Sequence, residues 1–301
     1  MNIWLKRTLI VVGGLVVLLA LLVVGALYRG ESKMKRSLDI APHPVAFRDD
    51  ARSIERGQYL FESRGCADCH GLNGAGRSFI DDGKGMHVAG PNISPGPGNV
   101  VASYSPSDWE RTIRHGVKPD GRPLMIMPSE DYNRFTDDDL AAVVAYLRHM
   151  PPASGGKAIL QLPLPVRALY GIGVVKDAAE RIDHSLPSQQ PVAEGVNLAH
   201  GEYVANMCKG CHGPALSGGK IPGAPPDWPA AANLTPGEGS AMPHYASAGQ
   251  FIAMFRSGKR PDGSVVSRVM PFEALAKVSD TDVRALYLYL QGLAPRAAGN
   301  R

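Results

Sequence analysis

The chain has 301 residues, with 32 Lys or Arg, 28 Asp or Glu and a formal net charge of +4. That charge is unevenly spread, because residues 1–36 hold six basic side chains and one Glu while the remainder carries 26 basic and 27 acidic ones. A nucleic-acid role requires a basic face on the folded part, which this distribution excludes, and the N-terminal surplus suits lipid headgroups instead.

The first predicted element runs from Thr8 to Tyr28, 21 residues without a charge and rich in Val, Leu, Ile, Ala and Gly. A bilayer span needs about 20 such residues, so a transmembrane anchor is expected over 8–28. The alternative is a signal peptide cut after Val24-Gly25-Ala26. Signal peptides have an apolar core of about 7–15 residues, and the longer run here, with no polar stretch before the cut, favours an uncleaved anchor.

Next comes a short stretch with Ile54, Gly57, Leu60 and Phe61 at helical spacing, followed by Cys66-Ala67-Asp68-Cys69-His70. Cys208-Lys209-Gly210-Cys211-His212 repeats that motif and uses the remaining two cysteines. Cys-x-x-Cys-His is the attachment pattern of c-type haem. Two thiols on one turn each bond a vinyl group, and the adjacent imidazole reaches iron. A paired zinc site or two disulfides are the competing readings. Zinc pairs stand about 12–20 residues apart, whereas 138 residues separate Cys69 from Cys208, and both pairs are followed at once by His.

The surroundings repeat too, at an offset of 141 to 144 residues. Gly57-Gln58-Tyr59 matches Gly201-Glu202-Tyr203, Asn92-Ile93-Ser94-Pro95 matches Asn233-Leu234-Thr235-Pro236, and Met127-Pro128 matches Met270-Pro271. Gly- and Pro-rich stretches follow each motif, over 71–98 and 213–239, and their repeated Asn-x-Ser/Thr-Pro argues for ordered loops. Thr136 to Leu147 and Ser279 to Leu290 then predict one amphipathic helix each, opened by a capping-box pattern with Asp in the fourth place. The chain is an internal duplication.

On these residues the sequence resembles the cytochrome c family over nearly all of 50–150 and 195–294. The anchor with Asn-Ile/Leu-Ser/Thr-Pro modules looks like the cytochrome subunits of bacterial membrane-bound alcohol and gluconate dehydrogenases, which carry three haem modules where this chain has two motifs. The resemblance implies a mostly α chain: a transmembrane anchor at 8–28, a class I cytochrome c-like domain at 50–152, a linker at 153–194 and a second such domain at 195–295. It implies two covalently bound haem c groups held by Cys66, Cys69, Cys208 and Cys211. His70 and His212 would be axial ligands, with Met127 and Met270, 57 and 58 residues later, as the sixth ligands. Met125, Met242, His87, His115, His149 and His244 are rivals, but none recurs at its partner position in the other half. The family further implies a carbonyl near Pro91 for His70, with Ala232 opposite, and a helix crossing in which Gly57 and Gly201 admit Tyr146 and Tyr289. Tyr104, Tyr245, Arg114 and Arg256 are candidates to bind propionates.

Family cytochromes receive haem outside the cytoplasm, so the domains are expected on the periplasmic side of the bacterial inner membrane. The basic residues after the span, Arg29, Lys33, Lys35 and Arg36, would by themselves favour the opposite orientation. The linker has an apolar centre, Leu162 to Val175, expected as a short helix or arm packed on the modules or on a partner, too short to span. With both axial positions filled, each haem gains or loses single electrons and takes no small-molecule substrate. The expected function is a carrier from a periplasmic or membrane dehydrogenase into the respiratory chain, with no catalytic residues of its own. The electron-entry subunit of a haem-copper terminal oxidase is a second reading and a di-haem peroxidase a third.

Overall fold

Residues 2–41, 43–225 and 227–300 are described in a computed structural model. Helix α1 (Ile3–Met34) starts at Asn2, whose side chain accepts a hydrogen bond from the Trp4 amide. It is long and apolar enough to cross a membrane, and its apolar surface is exposed. At ~1.5 Å per residue, residues 8–28 extend about 31 Å, against about 30 Å of hydrocarbon in a bilayer.

Each sequence repeat then lays down the same order of helices. The first has α2 (Ala51–Ser63), α3 (Cys66–His70), α4 (Pro106–His115), α5 (Ser129–Tyr132) and α6 (Asp137–His149). The second has α8 (Leu198–Ala205), α9 (Lys209–His212), α10 (Ala248–Ser257), α11 (Phe272–Leu275) and α12 (Asp280–Gln291), with α7 (Leu164–Gly171) between the repeats. Local chemistry sets the ends. Ser105 and Asp108 form a reciprocal capping box on α4, Pro106 stands in its first turn, and Gly116 closes it in the left-handed region. Ser247 starts α10 by accepting from the Gln250 amide, and Gly258 closes it in the left-handed region.

α2 crosses α6, and α8 crosses α12, at glycines. A Cβ on Gly57 would lie 1.9 Å from the Ala142 carbonyl oxygen, and one on Gly201 would lie 2.1 Å from that of Ala285. This is the close approach expected of the two glycines, with the Tyr146 and Tyr289 Cβ atoms at 2.8 and 2.7 Å from the same points. One apolar core gathers Leu60, Phe61, Leu140, Val144 and Leu147; the other gathers Val204, Phe255, Val283, Leu286 and Leu290. Burying each such side chain contributes about 1.5–3 kcal/mol.

A small sheet stands beside the helices of this mostly α chain. β1 (Ser78–Asp81), β2 (His87–Ala89) and β3 (Ile159–Gln161) form an antiparallel three-stranded sheet in that order, with a register shift between Ser78 and Ile80. β3 belongs to the linker, so the linker is stitched to the first repeat. The linker's helix α7 (Leu164–Gly171) packs not on the repeats but on α1, where a Cβ on Gly171 would lie 1.9 Å from the Ala26 carbonyl oxygen. Beyond it, His184 meets His115 at 2.9 Å and Arg134 donates to the Pro187 carbonyl.

Candidate haem-attachment sites

The Cys66–His70 turn is held between two left-handed glycines, Gly65 (φ 80°) and Gly71 (φ 72°), and the second motif is followed by Gly213 (φ 80°). None of the four cysteines is in a disulfide. Burial pushes the Cys66 and Cys208 thiols up to about 12 and Cys69 to about 11, so these are neutral thiols in apolar surroundings rather than a thiolate metal set. Among the described residues no group of three or more His, Cys, Asp or Glu is placed to hold a metal ion.

His70 Nδ1 lies 2.9 Å from the Pro91 carbonyl oxygen, and His212 Nδ1 lies 2.8 Å from that of Ala232. A carbonyl only accepts, so Nδ1 carries the proton in both rings and Nε2 is the nitrogen with a lone pair for iron. Burial lowers the His70 pKa, which keeps the imidazole neutral as a ligand must be. Ala232 thus serves as Pro91 does, because the contact uses only backbone.

The loop after each motif folds back on it through glycine. A Cβ on Gly90 would meet the Cys69 carbonyl oxygen at 2.2 Å, one on Gly76 the Gly90 oxygen at 2.4 Å, and one on Gly218 the Ala231 oxygen at 2.3 Å. Asn92 Oδ1 accepts from the Ser94 amide and hydroxyl while its Nδ2 donates to Ala153 O. Asn233 repeats this with Thr235 and Arg296 O. Asn-x-Ser/Thr-Pro is therefore a turn that ties the loop to the exit of the last helix.

Met127 and Met270 are partly buried, the first in the cluster that holds Cys66, the second in the cluster that holds Cys208. Both stand in the same tight turn, with the Ser129 amide bonded to Met127 O and the Phe272 amide to Met270 O. Three of the rival histidines bond elsewhere: His115 with Glu110 and His184, His149 with Ala145 O, His87 with Ser78. Cys66 and Met127 thus pack on one core and Cys208 and Met270 on the other, each pair with the Cys-x-x-Cys-His turn that carries its cysteine. The residues present fit a thioether-bound haem in each repeat.

Arg114 and Arg256, the candidates for propionate binding, also bond to protein groups. Arg114 Nη2 donates to Phe135 O and Asp137, and Arg256 to Leu275 O, Ala276 O, Val278 O and Asp280. They fasten α4 and α10 to the starts of α6 and α12.

What the sequence reading missed lies between the repeats. Tyr59 donates to Asp282 Oδ2 at 2.6 Å and accepts from the Ser279 amide; Tyr203 donates to Asp139 Oδ2 at 2.6 Å and accepts from the Thr136 amide. Each tyrosine thereby caps the last helix of the other repeat. Arg64 adds a 2.6 Å ion pair to Asp282, and His200 a contact at 2.8 Å; Arg56 pairs with Asp139. Burial would raise the Asp282 carboxyl, but Arg64 with the Tyr59 and His200 contacts holds it down at about 2. The attachment turns are part of this contact. Asp131 on α5 accepts from the Gly210 amide of α9, while α11 packs on α3 and Glu273 pairs with Arg77.

Comparison with known proteins adds a match, since residues 54–151 fit the family described as cytochrome c. That segment of the chain is thus similar to cytochrome c, and a cytochrome c domain implies covalently bound haem c. The chain is 32 % identical over 134 residues to the fructose dehydrogenase cytochrome subunit of Gluconobacter japonicus, covering 42 % of this chain and 27 % of that protein. It is 26 % identical over 289 residues to the gluconate 2-dehydrogenase cytochrome c subunit of Pantoea cypripedii, covering 84 % and 63 %. A diheme cytochrome c-type protein of Cereibacter sphaeroides is 26 % identical over 280 residues, covering 82 % and 88 %. The chain thus spans between about a quarter and two thirds of the length of the two dehydrogenase subunits.

Proposed function

We propose that this protein is a membrane-anchored, two-haem carrier that takes single electrons from a dehydrogenase and passes them into the respiratory chain. The observation that carries the reading is the matched pair of sites, each a Cys-x-x-Cys-His turn with its His fixed by a carbonyl and a Met-Pro turn in the same core. When bound, haem supplies one-electron chemistry. The protein supplies the rest. His70 and His212 would ligate iron through Nε2, Met127 and Met270 would supply thioether ligands, and Cys66, Cys69, Cys208 and Cys211 would hold the haem covalently.

Residues 50–152 and 195–295 are the two haem domains in this reading, 153–194 the linker and 8–28 the anchor. The packing of α5 on α9 and of α11 on α3 supports transfer between the two centres, because each attachment turn abuts the other repeat. Relatives named as cytochrome subunits of fructose and gluconate dehydrogenases support a dehydrogenase as donor. Covalent haem attachment supports the periplasmic side for both domains.

Met127→Ala and Met270→Ala, made singly, test the ligand set. A thioether ligand raises the haem potential, so each variant should lower one of two resolved potentials and halve the Met–iron charge-transfer band of the oxidised protein. A single haem by pyridine haemochrome assay, or unchanged potentials in both variants, would overturn the reading.

A further inference from the structure

The linker goes down along α1 and comes back. Arg167 O lies against Gly30, Arg167 pairs with Glu31, and Gly171 lies against Ala26, so rising numbers in α7 meet falling numbers in α1. The two helices are antiparallel, and glycine on each side lets the backbones touch. α7 ends in a Schellman turn: Gly173 (φ 84°) donates to Tyr170 O and Val174 to Leu169 O. The chain then returns to Asp177, which accepts from both Arg36 and the Tyr170 hydroxyl at 2.6 Å, and to Glu180, which pairs with Lys33.

Two properties of the tip stand out against the rest of the folded surface. From Ala168 to Val175 there is no charge, with Arg167 and Lys176 at its flanks, and Ile172 and Val174 are each 61 % exposed. Its backbone is also closed on itself, since the amides of Ile172, Gly173, Val174 and Val175 all donate within the hairpin, to Ala168 O, Tyr170 O and Leu169 O. Such internal pairing is what backbone outside water requires. Its height is fixed as well. Ala26 sits inside the apolar run that ends at Tyr28, about 3 Å deeper along the helix at ~1.5 Å per residue.

We propose that the Ile172–Val174 tip is seated in the bilayer leaflet that α1 crosses, its side chains among the upper acyl chains and Arg167 and Lys176 at headgroup level. The proposal rests on the anchor reading above. Continuity with α1 identifies lipid as the occupant: wherever Ala26 is in lipid, the residues beyond Gly171 are too. Interfacial segments settle about 5–10 Å below the headgroups, which this offset allows. Because β3 and the His184 contact bind the same linker to the first repeat, the protein then stands on two membrane contacts instead of one swivelling helix.

Spin labels in the full-length holoprotein, reconstituted in phosphatidylcholine–phosphatidylglycerol vesicles, test this directly. Ile172→Cys and Val174→Cys are compared with Val16→Cys in α1 and Lys157→Cys on the exposed linker, with an unchanged haem spectrum as the check on folding. Oxygen should reach the two tip labels readily, while collisions with a water-soluble nickel chelate fall several-fold below those at Lys157. A lipid-type signal at Val16 with water-type signals at both tip positions overturns the tip proposal alone. A water-type signal at Val16 overturns the anchor reading and the tip with it. Tip labels shielded only after a dehydrogenase is added would assign the surface to protein and also overturn the proposal.

Discussion

Asp139 and Asp282 show how one side chain can serve two levels of structure. Both stand in the fourth place of a capping-box pattern, yet neither carboxylate reaches back to its own helix start; the amide of each is capped by Thr136 or Ser279 while the carboxylate turns to a tyrosine and a cation. Asp can close such a box, as Asp108 does on α4, but at these two places the neighbouring repeat engages the carboxylate instead. Asp282 is fully buried and its pKa is held at about 2 against an ordinary 3.8, so it contributes stability that is fully present above about pH 4 and lost as pH falls through 2. That shift corresponds to about 2 kcal/mol. Asp282→Asn should lower stability by about 3 kcal/mol at pH 7, since Arg64 is left buried without its anion, and should flatten the acid limb of the pH–stability curve. Asp139→Asn should cost less, because Arg56 is the more exposed cation. Chemical denaturation followed by haem absorbance between pH 2 and 7 measures both.

At the scale of elements, the helix crossings are the most sensitive points. Gly57→Ala or Gly201→Ala puts a methyl within van der Waals radius of a carbonyl oxygen that cannot retreat, and each should destabilise its repeat by about 1–3 kcal/mol or more, read as a lower thermal midpoint. These crossings, the attachment turns and the final helices were legible in the sequence because periodicity, glycine placement and duplication all marked them. The sheet was not. β1, β2 and β3 have four, three and three residues with a bulge, too few for an alternating pattern, and their pairing joins residues 87–89 to 159–161 across the whole first repeat. The docking of α7 was equally hidden: its apolar face reads as core, and the Gly30–Gly171 approach with the Arg167–Glu31 pair assigns it to α1. Of the candidate sites, the chemistry-bearing residues were visible from spacing, whereas the helix-end bonds of Arg114 and Arg256 were not, because a repeated arginine looks the same whether it meets a ligand or a helix end.

Across the whole molecule, the two repeats meet through tyrosine hydroxyls that each serve as donor and acceptor. Tyr59→Phe and Tyr203→Phe should each weaken that contact by about 1.5 kcal/mol, the value of a hydrogen bond to a charged group. The double variant should lose the sum, the two bonds being separate, and calorimetric unfolding should split into two transitions as the repeats uncouple. The contact has a further meaning. Tyr59 meets Asp282 and Tyr203 meets Asp139, so the tyrosine of each half grips the carboxylate of the other. That reciprocity is the mark of an isologous interface, the kind formed by two identical subunits around a two-fold axis. A single repeat already carries both the tyrosine and the carboxylate needed to pair with its own copy. Residues 153–194 therefore need not create the association between the halves; they raise the effective concentration of a pairing that a homodimer of one-haem ancestors could have made unaided.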